Sequence, residues 1–221
     1  MSLALFDLDN TLLADDSDYL WGRFLVEQGL VDGDAYEREN QQFYDAYRAG
    51  TLDIHAFLHF MLRPLTEHPL ETLLAWRTQF MKEKIEPIIL AKAITLLEKH
   101  RNAGDTLLII TATNSFITTP IAQRLGVENL LATDIEFSEG RYTGRPLGIP
   151  CFQQGKVTKL HDWLAATGHH LTDSWFYTDS RNDLPLLAEV THPVAVDPDP
   201  ILAQYATEHG WPIISLRENH G

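Results

Sequence analysis

Along this chain the spacing of apolar residues changes from strand to helix and then to an alternation of the two. It opens on "SLALFDL", a short apolar run ending in acids, as strands buried on both faces of a parallel sheet read. Four helical patterns follow. "SDYLWGRFLVEQGL" sets Leu20, Trp21, Phe24 and Leu25 at helical spacing behind a Ser17 cap. "DAYERENQQFYDAYRAG" is expected to end at Gly50, and "DIHAFLHFMLRPL" to stop near Pro64. "LETLLAWRTQFMKEKI" is the fourth. Trp21, Phe24, Phe57, Phe60 and Trp76 read mostly as the core of this helical block.

After Pro87 strands and helices alternate with short connections. "PIILAKAITLLEKHRNAG" is a helix closed by Gly104, "DTLLIITATNS" a buried strand and "FITTPIAQRLG" the helix behind it. "LLATDIEFSEGRYTGRP" predicts a hairpin turning at Glu139-Gly140. "QQGKVTKLHDWLAATG" is a helix, "SWFYTD" a strand, "NDLPLLAEV" a helix, and "HPVAVD" and "WPIISL" two last strands. The pattern predicts an α/β fold: a doubly wound parallel-sheet core of residues 1–12 and 87–221, interrupted by an all-helical insertion over 13–86.

Charge narrows the partners. The 221 residues carry a formal net charge of −14, against the clustered basic residues that nucleic acids require. The helical block alone holds 14 of the 31 acids and 7 of the 17 basic residues. One cysteine, Cys151, forms no internal disulfide, which favours a reducing compartment. With no signal-peptide pattern and no stretch near the roughly 20 apolar residues that span a bilayer, the expectation is a cytoplasmic enzyme with neither a nucleic-acid nor a membrane partner.

The polar residues at the predicted strand ends carry the chemistry. Asp7 and Asp9 are two apart, so in a strand they are expected side by side on one face, and like charges that close need a cation or hydrogen bonds. Asp179 ends another strand and completes an oxygen-rich set suited to Mg²⁺. Thr111 and Lys156 add a hydroxyl and an ammonium, and the helix after "TATNS" adds a positive helix end, all devices for binding an anion. Together they describe a phosphoryl-transfer site.

Four stretches in order, "FDLDNTLL", "LLIITAT", "GKVTKL" and "FYTDSRNDLPLL", resemble the motifs of the haloacid dehalogenase superfamily over residues 1–195. The inserted helices resemble the cap of its phosphoserine-phosphatase-like members. The resemblance implies a Rossmann-like core, with Asp7 as nucleophile and Asp9 as proton donor and acceptor. Asp9 also favours phosphate esters over carbon–halogen bonds. Mg²⁺ would be held by Asp7, Asp179 and Asp9 through its backbone carbonyl. Thr111, Lys156 and amides near Leu8 and Ala112 would bind the phosphoryl oxygens, with Thr11, Asn182 and Asp183 supporting the metal's surroundings. Arg181, where the family usually has glycine, is expected to face solvent. In the cap, "ADDSD" offers Asp16, with Asp18 close by, near the family's amine-binding glutamate. His59 falls where an arginine normally clamps a carboxylate. An amine site without that clamp favours a small phosphorylated metabolite such as histidinol phosphate, ahead of phosphoserine. His55 and His59, four apart, are expected to be surface or pocket residues rather than metal ligands. The alternative of another class is a non-catalytic phosphometabolite-binding or signalling module.

Overall fold

The computed structural model describes residues 2–217. Its strands are β1 (Leu3–Phe6), β2 (Thr106–Asn114), β3 (Asn129–Thr133), β4 (Ile135–Ser138), β5 (Arg141–Pro146), β6 (Trp175–Thr178), β7 (His192–Val196) and β8 (Ile213–Ile214). Six of them form a sheet in the order β3-β2-β1-β6-β7-β8, every pairing parallel. Alternate residues of β1 and β2 face opposite ways, so Leu3, Leu5, Leu108 and Ile110 enter one apolar cluster and Ala4, Phe6, Leu107 and Ile109 the other. Both faces must therefore be covered by helices, which is what a parallel sheet requires.

Between β1 and β2 lie α1 (Ser17–Glu27), α2 (Gly33–Ala49), α3 (Ile54–Glu67) and α4 (Leu70–Phe80), then a π turn over Met81–Ile85. The chain leaves and re-enters the core side by side: Leu13 pairs with Ile89, Ala14 N–H donates to the Ile88 carbonyl at 2.8 Å and Leu90 N–H to that of Leu12 at 3.2 Å. Trp21, Phe24, Leu58, Phe60 and Met61 of the inserted helices share one apolar cluster with Phe6, Ile109 and Phe116. The remaining helices are α5 (Ala91–Ala103), α6 (Ser115–Arg124), α7 (Gln154–Thr167), α8 (Leu184–Leu187) and α9 (Pro200–His209). The β4–β5 hairpin turns through positive φ at Glu139 and Gly140 and packs on α3.

Several local expectations are corrected. α3 runs through Pro64 to Glu67, because buried Leu65 packs its last turn into the core despite the missing proline N–H. Asp16, rather than Ser17, caps α1, accepting from Tyr19 N–H at 2.8 Å. The helix expected over "NDLPLLAEV" is only four residues, preceded by one 3₁₀ turn. β1 ends at Phe6, so Asp7 and Asp9 do not share a strand face. The chain instead turns tightly, with Thr11, Leu12 and Leu13 N–H all directed at the Leu8 carbonyl and Asn10 in the left-handed region at φ 58°.

One glycine sets the start of α7. A Cβ on Gly155 would fall 2.0 Å from the Pro150 carbonyl oxygen, so only glycine lets this helix close against the turn before it and deliver Lys156. Gly155→Ala should cost about 1–3 kcal/mol of stability by overpacking. Denaturant unfolding measures that loss, and activity should fall with it because Lys156 is displaced.

Candidate active site

The carboxyl ends of β1, β2 and β6 bring four segments together, as ligand sites in open α/β sheets do. Lys156 Nζ, from the first turn of α7, donates to Asp7 Oδ1 and to Asp183 Oδ2, each at 2.8 Å. All three side chains are buried. Thr178 Oγ1 also donates to Asp183 Oδ2, at 2.7 Å, tying β6 to the loop that follows it. Asp179 of that loop is held from the turn after β1: Thr11 Oγ1 donates to Asp179 Oδ1 at 3.2 Å and accepts from Asp179 N–H at 3.1 Å. Asn182 Nδ2 donates to the Tyr47 carbonyl of α2 at 3.3 Å, and Gln153 Nε2 donates to Asn182 Oδ1 at 3.1 Å.

Asp9 turns away from Asp7. Its Oδ1 accepts from Ser17 N–H at the start of α1 (2.7 Å), and its Oδ2 from Thr113 Oγ1 (2.8 Å) and Thr111 Oγ1 (3.4 Å) of β2. Asn114, which ends β2 and caps α6, donates from Nδ2 to Asp18 Oδ1 at 3.1 Å. A cavity of about 40 Å³ runs from Asp7, Asp9, Thr111 and Ala112 to the inserted helices. There its wall carries Asp16, Asp18, Asn40 and the aromatic rings Tyr19, Phe43, Tyr44, Tyr47 and Phe57, and among the described residues lining it none is Lys, Arg or His.

Four carboxylates, Asp7, Asp9, Asp179 and Asp183, face one ammonium here. Burial alone would lower the Lys156 pKa, but Asp183 and Asp7 reverse this and hold it above its ordinary value. Burial, with Asp183 and Asp9 beside it, raises Asp7 to about 7 against the opposing pull of Lys156. Asp179 stands well above the usual carboxylate range through burial and its neighbours Asp7 and Asp183. Asp9 is raised chiefly by burial. Asp18 is raised to about 8 by burial and Asp9, and Asp16 well above its ordinary value by burial, Asp9 and Asp18. Both ends of the cavity are short of positive charge.

That deficit and the all-oxygen donor set fit a hard divalent cation at Asp7 and Asp179. Among the described residues no three His, Cys, Asp or Glu side chains form a metal cluster, and the Asp9 carboxylate is already engaged. A third protein ligand at this point would be the Asp9 backbone carbonyl.

The structure thus gathers Asp7, Asp9, Thr11, Thr111, Ala112, Lys156, Asp179, Asn182 and Asp183, and sets Asp16 and Asp18 on the wall of the same cavity. His59 is elsewhere: it is exposed on α3, whose cavity side presents Ile54 and Phe57 instead. His55 is exposed as well. Arg181 reaches the inserted helices rather than solvent alone, since a Cβ on Gly50 would lie 2.1 Å from its Nη2. Thr113, Asn114 and the stripe Asn40, Tyr44 and Tyr47 went unread in the sequence. Thr113 stands two residues after Thr111 on a strand, and the stripe follows the helical period, so spacing alone held both signals.

A family model described as haloacid dehalogenase-like hydrolase matches residues 4–188. A Neisseria meningitidis (serogroup C, strain 8013) protein named histidinol-phosphatase is 45% identical, the match covering 98% of this chain and 99% of that one. A Mycobacterium tuberculosis (strain H37Rv) protein named phosphoserine phosphatase is 31% identical over 97% of this chain and 70% of its own. The crystal structure of a Bordetella pertussis Tohama I protein with unknown function superposes with a TM-score of 0.93 at 44% identity, covering 98% and 99% of the two chains. The motifs, the parallel sheet that presents them and a family match over most of the chain agree: this protein belongs to the haloacid dehalogenase-like hydrolases.

Proposed function

We propose that the protein hydrolyses a small-molecule phosphate monoester through an aspartyl-phosphate on Asp7. The observation that carries this reading is the buried Lys156 ammonium held 2.8 Å from Asp7 at the strand ends, with Asp9 in the same turn after β1 and bonded to Thr111 of the adjoining strand β2. Lys156 and Asp183 fix the Asp7 carboxylate for attack on phosphorus. As the Asp7–phosphorus bond forms, the ester P–O bond breaks and its electron pair stays on the leaving oxygen, which takes a proton from Asp9. Asp9 then takes a proton from water, whose oxygen displaces Asp7 from phosphorus and frees phosphate. Thr111 and Lys156 donate to phosphoryl oxygens as charge shifts onto them. Mg²⁺ held by Asp7, Asp179 and the Asp9 carbonyl would supply the charge that keeps Asp7 ionised and would neutralise the phosphate.

The inserted helices, residues 13–86, act in this reading as a cap that selects the leaving alcohol. Two carboxylates, several aromatic rings and no basic side chain suit an alcohol bearing a cation and a flat ring, and disfavour one bearing a carboxylate. Histidinol phosphate meets that description, and the name of the 45% identical relative supports it. A cavity of about 40 Å³ holds only about three waters, so the cap must open at the paired linkers around Leu13 and Ile89 to admit it.

Asp7→Asn should lower kcat by about 10⁴-fold or more on any phosphate ester, and EDTA should abolish turnover until Mg²⁺ is restored. An Asp7→Asn variant that keeps full activity would falsify the nucleophile assignment. In steady-state kinetics, kcat/KM for histidinol phosphate should exceed that for phosphoserine and sugar phosphates. An advantage for phosphoserine overturns the cap reading. Asp18→Asn should raise KM for histidinol phosphate about tenfold. Its effect on stability has a definite sign. Folded Asp18 keeps its proton to about pH 8 whereas the unfolded chain loses it near 3.8, so its stabilisation is lost as pH rises across that window. The ligand-free variant should therefore unfold at a higher temperature than wild type above about pH 8, with the difference shrinking toward pH 4.

A further inference from the structure

We propose that Thr113 is a positioning residue for the reaction, holding Asp9 in place for proton transfer to the leaving oxygen; this rests on the role given to Asp9 above. Thr113 is buried near the end of β2, on the same strand face as Thr111, and its hydroxyl makes the shorter of their two bonds to Asp9 Oδ2. The other oxygen, Oδ1, is held by Ser17 N–H, so the carboxylate is anchored at both ends, from the sheet and from the helical insertion.

Thr111 cannot do this work throughout the cycle. Its hydroxyl has one hydrogen, and at 3.4 Å its bond to Asp9 is the weak one. When a phosphoryl oxygen takes that hydrogen, Thr113 becomes the hydroxyl left on Oδ2. Thr113 is also suited to both states of its partner. A hydroxyl donates to a carboxylate and accepts from a carboxylic acid, so it stays bonded as Asp9 loses and regains its proton. A valine has the same shape and neither capacity.

The neighbouring residue extends the arrangement. Asn114 holds Asp18 by a 3.1 Å bond, so two consecutive residues at one strand end orient the proton-transferring acid and an acid on the leaving-group wall. A leaving group that meets Asp18 is thereby presented to an Asp9 fixed by the same backbone.

The test is leaving-group dependence in the full-length protein with Mg²⁺. p-Nitrophenyl phosphate expels a phenolate that needs little protonation, whereas an alkyl phosphate expels an alkoxide that needs a full proton. kcat/KM reports only steps up to that departure. Thr113→Val should lower kcat/KM about 10- to 100-fold for the alkyl phosphate and less than about threefold for p-nitrophenyl phosphate, and Thr113→Ser should restore most of the loss. Thr113→Ala, measured alongside, removes the hydroxyl together with the γ-methyl, so nothing of the valine's size remains, and should show the same selectivity. Equal losses on both substrates, or no loss in either variant, overturn the proposal. Asp9→Asn separates the two levels. If it is selective against the alkyl phosphate and the Thr113 variants are not, only the role of Thr113 fails. If Asp9→Asn is itself unselective, the proton-donor reading fails first.

Discussion

The ammonium of Lys156, buried and shared between Asp7 and Asp183 at 2.8 Å from each, is the interaction on which the rest of the site depends. A charge that deep is tolerated only with good partners, and removing one strands the others at a cost of several kcal/mol. The requirement propagates outward. It calls for α7 to begin where it does, hence for glycine at position 155, and for the loop after β6 to return Asp183 beneath the ammonium, where Thr178 ties it down. Three segments distant in sequence are locked at one point before any ligand arrives.

Lys156 offsets only part of the negative charge around it. Asp7 and Asp179 sit above their ordinary pKa because burial and each other's neighbours disfavour two anions, which is a site short of a cation. A second shortage lies across the cavity at Asp16 and Asp18, again with no basic side chain on the wall. Asp9 stands between the two, held by the helical insertion through Ser17 N–H and by the sheet through Thr113. In the proposed reading, a divalent cation bearing the phosphate group at one end and a cationic leaving group at the other would supply both.

Much of this was legible from residue types and spacing. Apolar runs ending in acids, "SLALFDL" and "SWFYTD", marked strands of a parallel sheet, and the four ordered motifs placed Asp7, Asp9 and Asp179 at strand ends and Lys156 at the start of a helix. The cap was harder. His59 falls at the family's arginine position only in one register of its helix, and a helix rotates a side chain by about 100° per residue, so a small slip turns a pocket residue into the exposed one observed. The tight turn after Phe6 was equally hidden: strand periodicity predicts Asp7 and Asp9 side by side, whereas left-handed Asn10 and the bonds to the Leu8 carbonyl send them to different partners.

The sequence by itself determined the sheet, its interruption by helices and the family to which the chain belongs, because those depend on local periodicity and on residue types at strand ends. Only the tertiary structure decided which groups meet: Thr113 with Asp9, Asn114 with Asp18, Arg181 with the turn at Gly50, and an aromatic wall drawn from α1, α2 and α3. Such pairings join residues far apart in the chain, Thr113 and Asp9 being 104 positions apart. Their geometry is set by how separately folded elements pack, which no local pattern encodes.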